Sequence, residues 1–106
     1  MSNNKTEVSD NLIHGETKSG FEFWIDKRIL NDWRFITLIK KMTNGSDIEK
    51  ITSVEEALRL IFGDVYDAFI NHISNKNEGF VPSEKIIEEF VEIVNSIKNS
   101  TSSPTA

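Results

Sequence analysis

His14 and His72 are the residues of this 106-residue chain best suited to acid–base chemistry or metal ligation. The chain has no cysteine, so a metal would need carboxylates beside imidazole. No H-x-H or H-x-x-x-H pair exists, and the two histidines fall in different segments. Neither a metal nor a cofactor is expected. Nucleophilic catalysis needs a shaped turn and a base held by a third group, and G-x-S-x-G is absent. The serines fall in loops, caps and tails, where turn chemistry accounts for them. Glu88 and Glu89 are adjacent and so splay apart on a helix; Glu88 and Glu92 lie one turn apart on its outer face. General acid–base work would need them in a cleft. "NGSD" and "SGFE" lack the spacing of a phosphate-binding loop. The expectation is a protein that is not an enzyme.

The elements must therefore serve something other than a reaction centre. The length fits one domain with a small core. Net charge is −5, unevenly spread: residues 26–42 carry +3 and residues 46–98 carry −6. A mostly acidic chain is poorly built for nucleic acid, which rewards a basic balance through counterion release. No apolar run reaches the roughly 18 residues of a membrane span, and the N-terminus has no hydrophobic signal region. A cytosolic protein is expected, with no membrane and no nucleic-acid partner.

The fold class expected is mainly α with some β: an N-terminal β-hairpin, then about four helices packed as a small bundle. Residues 1–10 read as a disordered arm, 11–98 as one domain and 99–106 as a disordered tail. In "NLIHGETKSGFEFWID", "TKSG" supplies the turn. The second arm alternates, with Phe21, Phe23 and Ile25 on one side and Glu22 and Trp24 on the other. Asp26 caps a first helix predicted over Lys27 to Thr43. Ile29, Trp33 and Ile36 align on it, which predicts a buried Trp33. Phe35, Leu38, Ile39 and Met42 continue round the cylinder. "GSDIEKIT" reads as a connecting loop with room for one short helical turn, and Ser53 with Glu56 as the capping box of a second helix, Val54 to Phe62. Gly63 stops it and Asp64 caps a third, Val65 to Ser74. Pro82 or Ser83 opens a fourth, whose inner face is Ile87, Phe90, Val94 and Ile97, supported by Ile86 and Ile93, while Glu88, Glu89 and Glu92 face mainly outward. Helices two and three could form a helix-turn-helix, but the second of them has no Lys or Arg before Lys76, which disfavours DNA reading.

The aromatic density of "GFEFWIDKRILNDWRFITLI" then remains. Trp24 is out of phase with the core side of its strand, and Trp is enriched where binding energy concentrates. The first helix has more apolar surface than one stripe, so it is expected either to be central in the helical domain or also to face a partner. The candidate partner-binding residues are Trp24, Phe35, Leu38 and Met42.

The order "GFEFWID", "ILNDWRFITLIKKM", "SVEEALRLIFGD", "VYDAFINHI", "NEGFVPSEKI" and "IIEEFVEIVNSI", covering about Gly15 to Lys98, resembles the tail assembly chaperones of long-tailed bacteriophages. Asp32-Trp33 after the strand and the stop at Gly63 carry most of the likeness. Asp64-Val65-Tyr66 departs from the Gln-rich or acidic segment common there. The resemblance implies a chaperone that coats the tape measure protein until tail tube protein polymerises around it. Its place would be the host cytoplasm, absent from the mature virion, with self-association. It also implies a longer product made by ribosomal frameshifting, for which Ile97-Lys98-Asn99 or Ile39-Lys40-Lys41 permits a slippery tract. The rival readings are a small regulatory adaptor using the same surface and, below it, a DNA-binding regulator.

Overall fold

The structure, a computed structural model, describes residues 11–101. The arm expected over 1–10 and the last five residues of the expected tail lie outside the described residues. The protein is mainly helical with an N-terminal two-stranded antiparallel hairpin, β1 (Leu12–Glu16) and β2 (Glu22–Asp26). Register pairs Ile13 with Ile25, His14 with Trp24 and Gly15 with Phe23. A Cβ on Gly15 would stand 2.5 Å from Phe23 Cζ, so the Phe23 ring lies over a position only glycine leaves open. The turn closes by Gly20 N–H donating to the Thr17 carbonyl at 2.9 Å, with Gly20 at φ +95°. Alternation behaves as read: Phe23 and Ile25 are buried, Phe21 packs on the core and Trp24 is exposed.

The segment after the hairpin departs from expectation. Asp26 does cap a helical stretch, but Lys27–Asn31 is a short 3-10 helix and the chain extends again at Asp32 (ψ 129°). Helix α1 (Trp33–Asn44) begins afresh, capped by Asp32, whose carboxylate accepts the Arg34 N–H. A 3-10 turn holds 3.0 residues rather than 3.6, and the break resets the phase. Residues aligned with Ile29 along one continuous helix are therefore not aligned in the molecule. Phe35, Leu38, Ile39 and Met42 form the inward stripe, at i, i+3, i+4 and i+7. Phe35 and Leu38, expected to meet a partner, are core at 3% and 8% exposure, and Met42 is half-buried against it. Trp33, expected in the core, is 80% exposed, and Ile36 beside it is 44% exposed.

Helix α2 (Asp47–Phe62) starts seven residues earlier than the sequence reading placed it. Its capping box is Ser46 with Glu49, another S-x-x-E, while Ser53 is buried inside the helix. A 3-10 turn, Gly63–Val65, joins it directly to α3 (Tyr66–Lys76). Gly63 turns the chain at φ +55°, and Asp64 makes no capping bond. The α-helical residues thus fall in three unbroken helical runs, 33–44, 47–76 and 83–101, rather than four. Arg59 stacks over the Tyr66 ring at 4.3 Å across the α2–α3 corner. Phe21, Phe62 and Phe69 meet inside it, with ring centroids 5.2–5.7 Å apart, which fastens the hairpin to that corner.

Helix α4 (Ser83–Thr101) opens on the Pro82 carbonyl, which accepts from Lys85 and Ile86, and runs three residues past the expected end at 98. Phe90, Ile93 and Ile97 are buried, with Ile86, Ile87 and Val94 packed around them. Glu89 is buried too, against the expectation that it faces water.

Candidate functional site

Two places combine unusual chemistry with position. The first joins the hairpin turn to α3 and α4. Ser19 Oγ lies 2.9 Å from His72 Nε2 and donates to Glu89 Oε1 at 3.0 Å. The Ser19 N–H reaches Glu89 Oε2 at 3.3 Å, and the Lys18 N–H donates to Glu92 Oε1 at 2.8 Å. Sequence reading missed this cluster because its side chains come from three elements, the turn, α3 and α4, and no local spacing links them.

A serine, a histidine and a carboxylate together invite a catalytic reading, which proton accounting opposes. The hydroxyl has one proton, and it points to Glu89. His72 Nε2 also lies 3.1 Å from the Ser19 carbonyl oxygen, which can only accept. Nε2 therefore carries the proton and donates to Ser19. A nucleophilic serine needs the reverse, with the imidazole accepting the hydroxyl proton and the carboxylate on the other ring nitrogen. Here the carboxylate sits on the serine. The cluster is a latch that satisfies a buried carboxylate and holds the turn on the two helices.

The second place is the outward face of α1. Trp33, Ile36, Thr37, Lys40, Lys41 and Asn44 are all exposed. Their spacing puts them on one side of the helix. Two D-x-R devices shape its approach. Arg28 grips Asp26 through Nε at 3.0 Å and Nη2 at 2.6 Å, and Arg34 grips Asp32 at 3.0 and 2.8 Å. The side-chain hydrogen bond from Arg34, then its backbone N–H, holds the Asp32 carboxyl down at about 2. The Asp26 carboxyl is lowered by Arg28 in the same way. Asp32 thereby fixes where α1 starts and which residues face out. A hollow of about 430 Å³ flanks the face on the α2 side, its walls including Trp33, Leu38 and Leu60. Another of about 360 Å³ flanks it on the α4 side, walled by Leu30, Phe35, Ile36, Ile39 and Val94.

Trp24, the remaining sequence candidate, is 58% exposed, but its ring stacks on His14 across the hairpin at 4.6 Å. His14 also meets Glu22 at 3.3 Å. Trp24 is exposed while Phe35 and Leu38 are buried, so the four sequence candidates do not form one exposed surface. Trp33, placed in the core by the sequence reading, is the exposed residue of this helix start, and the signal for it is Asp32, an N-cap residue directly before it.

Among the described residues no three His, Asp or Glu side chains gather as a metal site would require, and no helix is long and apolar enough to cross a membrane. Comparison with protein-family models, curated proteins and solved structures returned no match to this chain.

Proposed function

We propose that this chain is a non-enzymatic protein-binding domain, and specifically a phage tail assembly chaperone that shields the tape measure protein in the host cytoplasm. The observation that carries the binding reading is Trp33, a large apolar ring held 80% in water at the head of a helix and beside Ile36. The molecule gains nothing in its own fold from exposing it, and an exposed aromatic flanked by apolar hollows suits a partner's side chains. The resemblance of Gly15 to Lys98 to tail assembly chaperones supplies the partner. The tape measure protein of that system is long and largely helical, so many copies of a modest surface could act along it with avidity.

The test is co-expression with the tape measure protein encoded in the same genome, usually a conspicuously long reading frame downstream. The expected result is a soluble tape measure protein that co-purifies with this chain and aggregates without it. A tape measure protein equally soluble alone, and absent from the pull-down, would leave the adaptor reading in its place.

A further inference from the structure

We propose that the outward face of α1 takes a single amphipathic helix that is apolar where it meets Trp33 and Ile36 and acidic about two turns further on, where it meets Lys40 and Lys41. This rests on the protein-binding reading and names the partner's chemistry. The exposed face runs from Trp33 to Asn44, about 16 Å at 1.5 Å per residue, the length of some eleven residues of a partner helix. A ridge with a hollow on either side is the surface onto which a second helix packs, its side chains dropping into both. The apolar share lies in the first turn, in Trp33 and Ile36.

Charge fixes the other end. Helix α1 carries Arg34, Lys40 and Lys41 and no Asp or Glu, in a chain of net charge −5. Arg34 is taken by Asp32. Lys40 and Lys41 have no carboxylate within ion-pair distance among the described residues. They share a third hollow, of about 280 Å³, with Thr37, Asn44 and Glu49, and Glu49 is already held by the Ser46 N–H at 2.9 Å. Glu56 stands on the α2 side of the Trp33 hollow, so a basic residue opposite Trp33 would find a carboxylate there, but one opposite Lys40 and Lys41 would meet two unpaired cations. An extended anion such as nucleic acid would cover Glu49 and Glu56 as well and gain little. A short helix with its carboxylates confined to one end avoids both.

The probe is a set of three synthetic helical peptides sharing one short apolar stripe at i, i+3 and i+4. One carries glutamates two turns from the first stripe residue, at i+7 and i+8, one carries lysines there, and one has the glutamate sequence scrambled. They are titrated against the full chain bearing Trp24→Phe, so that Trp33 is the only indole. The glutamate peptide should bind saturably and shift Trp33 emission to the blue. It should bind at least about tenfold more tightly than the lysine peptide, and the K40E/K41E variant should reverse that order. Equal binding of the two peptides, or no change in Trp33 emission, would overturn the inference. So would sedimentation showing that the free chain is already a dimer which Trp33→Asp dissociates, because a second copy would then own the face. Tape measure capture separates this from the chaperone reading. Capture by a folded Trp33→Ala chain at wild-type strength sinks the site and keeps the chaperone. Peptide binding as described, with no capture by wild type, sinks the chaperone and keeps the site.

Discussion

The hairpin turn and the outward face of α1 both carry polar and aromatic residues at the surface, and they are finished in opposite ways. At the turn the buried polar groups have partners. Lys18 N–H, Ser19 N–H and Ser19 Oγ end on Glu92 and Glu89, His72 closes the far side, and Phe21 packs into the aromatic corner below. On α1 the indole of Trp33 stands in water, and Lys40 and Lys41 lack a carboxylate partner among the described residues. A region whose groups are all satisfied internally has little left to offer another molecule. A region left incomplete at the cost of solubility has that capacity, and the difference is the reason the proposed binding face is α1 rather than the more chemical-looking cluster.

Substitutions can break this contrast, beginning with the inner face of α1. Phe35→Ala should cost about 3–5 kcal/mol, a large part of what a domain this size has, and lower the melting temperature accordingly. A melt close to wild type would mean that Phe35 is not core and that the two faces of α1 have been exchanged. At the latch, Glu89→Ala leaves the Ser19 N–H and hydroxyl without an acceptor, for a loss of about 1–3 kcal/mol in denaturant unfolding. Glu89→Gln keeps one carbonyl acceptor and should lose less. If alanine and glutamine melt alike at the wild-type temperature, the turn is not latched and the contrast fails on its first side.

The hairpin was legible because its signals are local. Alternation, a Gly-bearing turn and Asp26 as a cap all act within a few residues, and Trp24 came out on the exposed side for that reason. Gly15 was not legible, since its need to lack a side chain comes from Phe23 across the strand. The α1 face was misread for a physical cause. One continuous helical phase from Ile29 through Asp32 would align Trp33 with Ile29, whereas a 3-10 turn and an extended residue intervene. One phase error exchanged the two faces: Phe35, Leu38 and Met42 became candidate contacts and Trp33 became core. The start of α2 failed similarly, because two S-x-x-E boxes compete and burial of Ser53, a tertiary fact, decides for Ser46. The latch joins residues 53 to 74 positions apart, beyond any sequence pattern.

Acid sharpens the role of Asp32. Its folded carboxyl sits at about 2, below its ordinary value of 3.8, so its contribution is complete above the higher value and is lost as pH falls toward the lower. Stability should therefore decline through that window. Asp32→Asn still caps a helix and should flatten the decline, with Asp26 retaining part of it. An unchanged acid slope in the asparagine variant would mean that the Asp32–Arg34 pair does not hold the start of α1.

The smallest expected effect on folding is the most informative. The central claim is that Trp33 is left outside the fold for a partner. The measurement is the melting temperature of Trp33→Ala beside that of Phe35→Ala, in the free full-length chain. The account predicts Trp33→Ala within a few degrees of wild type while Phe35→Ala falls far below it. A Trp33→Ala melt that drops as far as Phe35→Ala would place the indole in the core and contradict the account.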